Sequence, residues 1–245
     1  MTAQTSLTRM VRKLDSRTRL SADEKAALLA LPFKHRTLEA GSYIVREGDE
    51  TDQCGVLISG FAYRHKVTGD GGRQIVSLHI PGEFFDLQNM FLNVSDHNIQ
   101  MLTRGEVAFV PQATVEALAF GRPAIGMAMW VDTLVDASIF REWVMNVGRR
   151  DSRTRVAHLL CEVMVRLEDA GLSNDYGYDL PMTQEQLADA VGLTPVHVNR
   201  VLKGLGQDGL IKREKRHISI PNLDRLRDVG DFSERYLHFE QQNAA

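Results

Sequence analysis

Cysteine is nearly absent. Cys54 and Cys161 are the only two, and they stand far apart. Two such thiols supply neither a disulfide framework nor metal-ligand spacing, they argue against an iron–sulfur cluster, and they suit a reducing cytoplasm. Long apolar runs are missing too: no stretch of about 18 apolar residues occurs, and the amino-terminal MTAQTSLTRMVRKL lacks the apolar heart of a secretory leader. Neither a membrane partner nor export is expected. Charge of one sign is also scarce, since 29 Lys and Arg stand against 32 Asp and Glu for a net charge of −3. A generally basic nucleic-acid coat is thereby excluded, and any DNA binding must come from a local patch. Catalytic signatures are lacking as well. There is no His-x-His with a carboxylate, no Gly-x-Ser-x-Gly, no Walker loop and no Gly-x-Gly-x-x-Gly opening a helix. Gly69 to Gly72 reads as a hairpin tip, and no enzyme is expected.

What is present is concentrated between Pro181 and Leu205, PMTQEQLADAVGLTPVHVNRVLKGL. Thr183 and Gln186 form a capping box, so a helix starts there and carries Leu187, Ala188 and Val191 on one face. Gly192 suits the left-handed conformation that ends it. Thr194 is a good N-cap, and Pro195 falls at the first helical position, where a missing N–H costs nothing. Val198, Val201, Leu202 and Leu205 give the second helix an apolar seam, leaving Val196, His197, Asn199, Arg200 and Lys203 to face outward. This spacing predicts a helix-turn-helix with its recognition helix. Asp208-Gly209 then turns the chain into Leu210 to Ile220, two short strands around a basic tip that includes Lys215. Helix-turn-helix and wing together make a winged helix. From Arg200 to Arg216 six Lys or Arg face two acidic residues, a local excess of four charges, where phosphates would be met.

Upstream, Leu7, Met10, Val11 and Leu14 predict an amphipathic helix, and a second starts at Ser21 with Glu24 as its capping-box partner, ending before Pro32. From His35 to Val110 the texture is of short runs divided by glycine, as expected of an antiparallel sandwich or jelly roll; Phe84 to Val94 reads as a short helix within it. Gln112 to Phe120 reads as another helix. Pro123 to Val147 is the longest helical pattern, and a helix of about 25 residues reaches about 37 Å, more than one small domain needs. Its apolar positions lie on more than one side, so it is expected to pair with a second copy about a two-fold axis. Asp151 caps a further helix from Ser152 to Ala170, Ser173 to Asp179 reads as a polar loop, and Asn222 to Phe239 as a helical tail. The expected fold class is α+β, divided into residues 1–120, 121–148, 149–222 and 223–245.

A β-roll, a long helix, a hinge and a carboxy-terminal winged helix, with Pro81-Gly82-Glu83-Phe84, Thr183 to Ala188, Gly192 to Leu202 and Asp208 to Ile211, resemble the CRP/FNR superfamily of bacterial transcription regulators over roughly residues 20 to 220. The resemblance implies a cyclic-nucleotide-binding-like jelly roll and a homodimer on a near-palindromic promoter site in contact with RNA polymerase. It also implies an effector signal relayed along the long helix. Residues expected at DNA are Thr183, Thr194, Pro195, Val196, His197, Asn199, Arg200, Lys203 and Lys215. The family's commoner Arg-Glu is replaced by Pro195-Val196, so Arg200 alone keeps the guanine-reading guanidinium, and Val196 offers a contact to a thymine methyl.

The effector pocket would hold Gly82, Glu83, His97 and Asn98. Where cyclic-nucleotide binders carry an arginine for the phosphate, this chain has His97-Asn98-Ile99, and a histidine with a pKa of about 6.5 is a poor fixed cation. Phe140-Arg141 stand where the family's Thr-Ser pair meets the base. Cyclic AMP is disfavoured, no cofactor is expected, and haem through His35, His65 or His79 stays open. Two other readings are a cyclic-nucleotide-responsive regulator and an adaptor whose winged helix binds protein.

Overall fold

A computed structural model describes residues 7–173 and 177–239. They fall into two compact units, the first with residues up to 66, 78–138 and 238–239, the second with 67–77 and 139–237.

In the first unit, α1 (Thr8–Arg17) buries Met10, Val11 and Leu14, as their spacing predicts. Helix α2 (Ala22–Leu29) begins at the Ser21 capping box: Ser21 Oγ accepts from the Glu24 amide at 3.2 Å, and the Ser21 amide donates to Glu24 Oε2 at 2.7 Å. Eight strands follow in the chain, those of their residues between 67 and 77 belonging to the second unit: β1 (Lys34–Leu38), β2 (Tyr43–Val45), β3 (Gln53–Ser59), β4 (Ala62–Val67), β5 (Arg73–His79), β6 (Phe84–Phe85), β7 (Asn98–Met101) and β8 (Gly105–Pro111). They form two four-stranded sheets, ordered β1-β8-β3-β6 and β2-β7-β4-β5. Strand β3 pairs antiparallel with β8, Cys54 opposite Val110 and Leu57 opposite Val107. Alternation then divides the core. Cys54, Val56, Ile58, Ala108 and Val110 pack with the helices, whereas Leu57 and Val107 meet Val45, Phe85, Ile99 and Met101.

Phe84 to Val94 departs from the expected helix. Phe84 and Phe85 pair instead with Val56 and Gly55, Asp86 turns left-handed at φ 65°, and only Leu87–Met90 winds, as a 3₁₀ turn. The pairing decides the matter, because an isolated eleven-residue helix gains little in water while two edge residues complete a ladder and bury both rings. Gly55 permits it: a Cβ there would fall 1.9 Å from the Phe85 ring.

Helix α3 (Gln112–Gly121) leads into α4 (Pro123–Arg149), which contributes residues to Ser138 to the first unit and from Ile139 to the second. By length and mean hydropathy α4 could cross a bilayer. Its Asp132, however, is buried in ion pairs with Lys13 and Arg17, both at 3.1 Å.

In the second unit, Asp151 caps α5 (Ser152–Asp169), accepting from the Arg153 and Thr154 amides at 2.9 and 3.0 Å. The helix-turn-helix is α6 (Gln184–Val191) and α7 (Pro195–Gln207), followed by β10 (Lys212–Glu214), β11 (His217–Ser219) and α8 (Leu223–Gly230). The segment from Ser173 to Asp179, expected as loop, includes a strand, β9 (Gly177–Asp179), that joins β11 with Ile218 opposite Tyr178; residues 174–176 lie outside the described ones. Tyr178 holds it in place by donating to the Leu160 carbonyl at 3.1 Å. Nor is the tail one helix. Gly230 lies against α5, its carbonyl 3.1 Å from His158 Nδ1, and Asp231 turns left-handed at φ 45°, so the chain resumes as a 3₁₀ turn, Glu234–Leu237. Residues 240–245 of the expected tail lie outside the described ones.

Between α4, α5 and that turn, Glu162 is fully buried and accepts from Trp143 Nε1 at 2.9 Å, Tyr236 Oη at 2.8 Å and Arg166 at 3.1 Å. Three donors around one carboxylate satisfy oxygens that would otherwise be costly to bury; His158 completes the group through Tyr236 at 3.2 Å.

Candidate nucleic-acid interface

Local chemistry builds the helix-turn-helix. Thr183 Oγ1 accepts from the Gln186 amide at 3.2 Å and the Thr183 amide donates to Gln186 Oε1 at 2.9 Å, closing the capping box read in the sequence. Gly192 takes φ 64° and ends α6. Thr194 Oγ1 accepts from the His197 amide at 3.3 Å, and Pro195 opens α7. Each threonine uses its oxygen as a cap and keeps its hydroxyl proton to donate. The amino ends of both helices favour an anion through their dipoles.

Leu187, Ala188 and Val191 on α6 bury against Val198, Leu202 and Leu205 on α7, which fixes the outer face. Thr183, Thr194, Pro195, Val196, Arg200 and Lys203 are exposed, and His197 and Asn199 are half-buried. Among the described residues, neither Arg200 nor Lys203 has a carboxylate partner. Three other cations of the region are engaged: Arg216 donates to the Pro181 carbonyl at 3.0 Å, Arg213 to the Lys215 carbonyl at 3.2 Å, and Arg153 pairs with Asp208 at 2.5 Å. Lys215 sits at the wing tip with φ 55°, a left-handed residue without glycine's freedom.

Two contacts escaped the sequence reading. Asn199 Nδ2 donates to Gln184 Oε1 at 3.1 Å, joining the two helices. The hairpin residues 67–77 cluster with this unit, and there Arg73 grips Asp189 of α6 at 2.6 and 2.7 Å while Gln74 donates to the Asp189 carbonyl at 2.7 Å. Each partner is distant in sequence or carried on a different helix, and no local spacing signals it.

The roll holds a separate buried polar cluster. Gly82 has φ 100°, and a Cβ there would fall 2.9 Å from that of Arg9 on α1. Glu83, one residue on, is buried and already occupied: Lys13 of α1 lies 3.4 Å from one oxygen, and His79 and the Ile80 amide 3.3 Å from the other. Burial alone would pull the Lys13 ammonium down, but Asp132, Glu83 and Asp136 outweigh it and leave its pKa above the ordinary 10.5. Burial pushes the Asp136 carboxyl up to about 6, with Lys13 holding it lower than the neighbouring carboxylates alone would.

His97 is buried elsewhere in the roll, between Asp86 at 2.9 Å and Asp96 at 2.7 Å. Arg64 reaches the same Asp86 oxygen at 3.6 Å. Asn98 instead accepts from the Glu47 amide at 3.1 Å. Gly82 and Glu83 lie by α1, His97 by Asp86 and Asp96, and Asn98 by Glu47, so the four expected pocket residues have three different sets of neighbours. A cyclic phosphate does not fit this set: His97, where an arginine would be expected, is flanked by two carboxylates, and Glu83, the carboxylate expected at a ribose, is already paired with Lys13.

The thiols fit an iron–sulfur cluster no better. Burial pushes both Cys54 and Cys161 up to about 12, far from the thiolate a metal needs. Of the three histidines considered for haem, His35 pairs with Glu106 on the surface at 3.4 Å, while His65 and His79 are buried. Among the described residues, no group of three His, Cys, Asp or Glu is arranged to hold a metal.

A family model for a cyclic nucleotide-binding domain matches residues 35–121, and one for a Crp-like helix-turn-helix domain matches residues 154–229. The transcriptional activator protein FnrL of Cereibacter sphaeroides is 28% identical over 221 residues, 88% of each chain. The nitrogen fixation regulation protein FixK of Rhizobium meliloti is 28% identical over 196 residues, 79% of this chain and 85% of its own. Among solved structures, FixK2 from Bradyrhizobium japonicum is similar with a TM-score of 0.76 at 22% identity, covering 83% of this chain and 100% of that one.

Proposed function

Because the chain belongs to the CRP/FNR superfamily of transcription regulators, we propose that it acts as a cytoplasmic homodimer on promoter DNA, each α7 entering the major groove of one half-site. Its parts on this reading are a roll in residues 1–120, a dimer helix in 121–148, a winged helix in 149–222 and a tail from 223. RNA polymerase is the further partner, and no membrane, metal or catalytic step takes part.

The observation that carries the reading is the open face of α7, where Arg200 and Lys203 are exposed without a carboxylate partner among the described residues. Arg200 reads guanine through O6 and N7, Val196 meets a thymine methyl, and His197 and Asn199 reach base edges or phosphate. Thr183, Thr194, Lys203 and Lys215 hold the backbone, with Pro195 against it. Arg200→Ala loses about 1–3 kcal/mol of discrimination on the operator, whereas Lys203→Ala weakens operator and random DNA alike and lowers the salt slope by about 1. Gel shifts over a range of salt measure both, and equal loss on the two DNAs for Arg200→Ala would sink the assignment.

A dimer follows from α4. Met127, Trp130 and Leu134 are large, apolar and exposed, and they recur at intervals of three and four residues, the spacing of a helix seam. Membrane insertion is the weaker use of this helix, since Asp132 is buried in ion pairs with Lys13 and Arg17.

A further inference from the structure

Asn199 follows Val198 of the apolar seam and precedes Arg200, so it stands at the border of the outer face of α7. Gln184 is the first residue of α6, directly after its cap Thr183. Both side chains are half-buried, and Asn199 Nδ2 donates to Gln184 Oε1 at 3.1 Å.

An asparagine on an open helix face turns freely about its last torsion and offers donor or acceptor to a base with little preference. The bond to Gln184 removes that freedom. It takes one of two amide hydrogens and leaves Oδ1 with the other, an acceptor and a donor in one plane. Adenine presents the complement in the major groove, an N6 donor beside the N7 acceptor, whereas guanine sets two acceptors there and would oppose Oδ1 with O6.

We propose that Gln184 is a positioning residue that holds Asn199 to read an adenine in each half-site, beside the guanine met by Arg200. This rests on the reading of α7 as the base-contacting helix. Gln184 touches no base itself. Its role is to spare the complex the ordering of Asn199 at the moment of binding.

The test uses the full chain. A site is first selected from randomised duplexes, and each base pair of its half-site is then replaced in turn for titration of the unaltered protein and of Asn199→Ala, Gln184→Ala, Gln184→Glu and Arg200→Ala. The unaltered protein prefers adenine at one pair by about tenfold, within the range of one bidentate contact. Asn199→Ala abolishes that preference, and Gln184→Ala reduces it at the same pair while sparing the others. Gln184→Glu, which keeps the acceptor, retains the preference even where its charge lowers affinity for every sequence. Thermal melting identifies a variant that fails to fold, in which case Gln184→Met takes the place of Gln184→Ala. The proposal is overturned if Gln184→Ala leaves the adenine preference intact or weakens all sequences equally, the mark of a phosphate contact, or if Asn199→Ala changes nothing. If the unaltered protein prefers no base anywhere and Arg200→Ala has no effect, the failure lies with α7 as the reading helix instead.

Discussion

Trp130→Glu tests the seam on α4 directly. Trp130 is 57% exposed, in line with Met127 at 54% and Leu134 at 50%. A tryptophan carries up to roughly 250 Å², so covering its exposed share removes about 140 Å² from water, or about 3.5 kcal/mol at ~25 cal/mol/Å². A two-fold axis counts the residue twice, for about 7 kcal/mol gross. Ordering side chains at an interface returns a part of this; with half retained, the dimer weakens by about 3–4 kcal/mol, a few hundredfold. Sedimentation equilibrium reads the dimer constant, and Val196→Glu, on the exposed face of α7, serves as a control that leaves it unchanged. A constant for Trp130→Glu within threefold of the unaltered protein would refute the seam.

Three other outcomes are expected. Asp136 has a folded pKa of about 6 against an ordinary 3.8, so the folded state binds the extra proton between these values and stability falls as pH rises through that window. Asp136→Asn removes the penalty, flattens the profile between about pH 4 and 6 and adds up to about 3 kcal/mol at pH 7; an unchanged slope in urea melts at several pH values contradicts it. Lys215→Gly relieves the left-handed wing tip and stabilises by about 1 kcal/mol in the same melts, yet lowers the salt slope of DNA binding by about 1 per half-site. Calorimetric titration with cyclic AMP and cyclic GMP gives no heat of binding; micromolar affinity for either would mean that Lys13 yields Glu83 to the ligand.

How much was legible depended on the range of the interaction. Both capping boxes, the left-handed Gly192, the proline at the start of α7 and the Asp151 cap are fixed by residues within a few positions of each other. The sequence shows them because those bonds close locally, whatever the rest of the chain does. The strand β9 was missed for the opposite reason. Three residues with no alternation become a strand only because β11, some forty residues on, offers an edge and Leu160 a carbonyl for Tyr178. The tail likewise has a helical pattern throughout, but α5 draws Gly230 close and breaks it.

The same division separates the two candidate sites. By itself the sequence determined the outer face of α7: its apolar seam must face inward, so Arg200 and Lys203 must face outward. It also determined that the arginine expected for a cyclic phosphate is absent. Only the tertiary structure decided what became of the rest. Lys13 on α1 comes to Glu83 and to Asp132 on α4, His97 comes to Asp86, and Gln184 comes to Asn199. Charges and amides removed from water must find partners wherever packing brings them. Which partner each one meets is set by the meeting of distant elements, and no spacing along the chain records it.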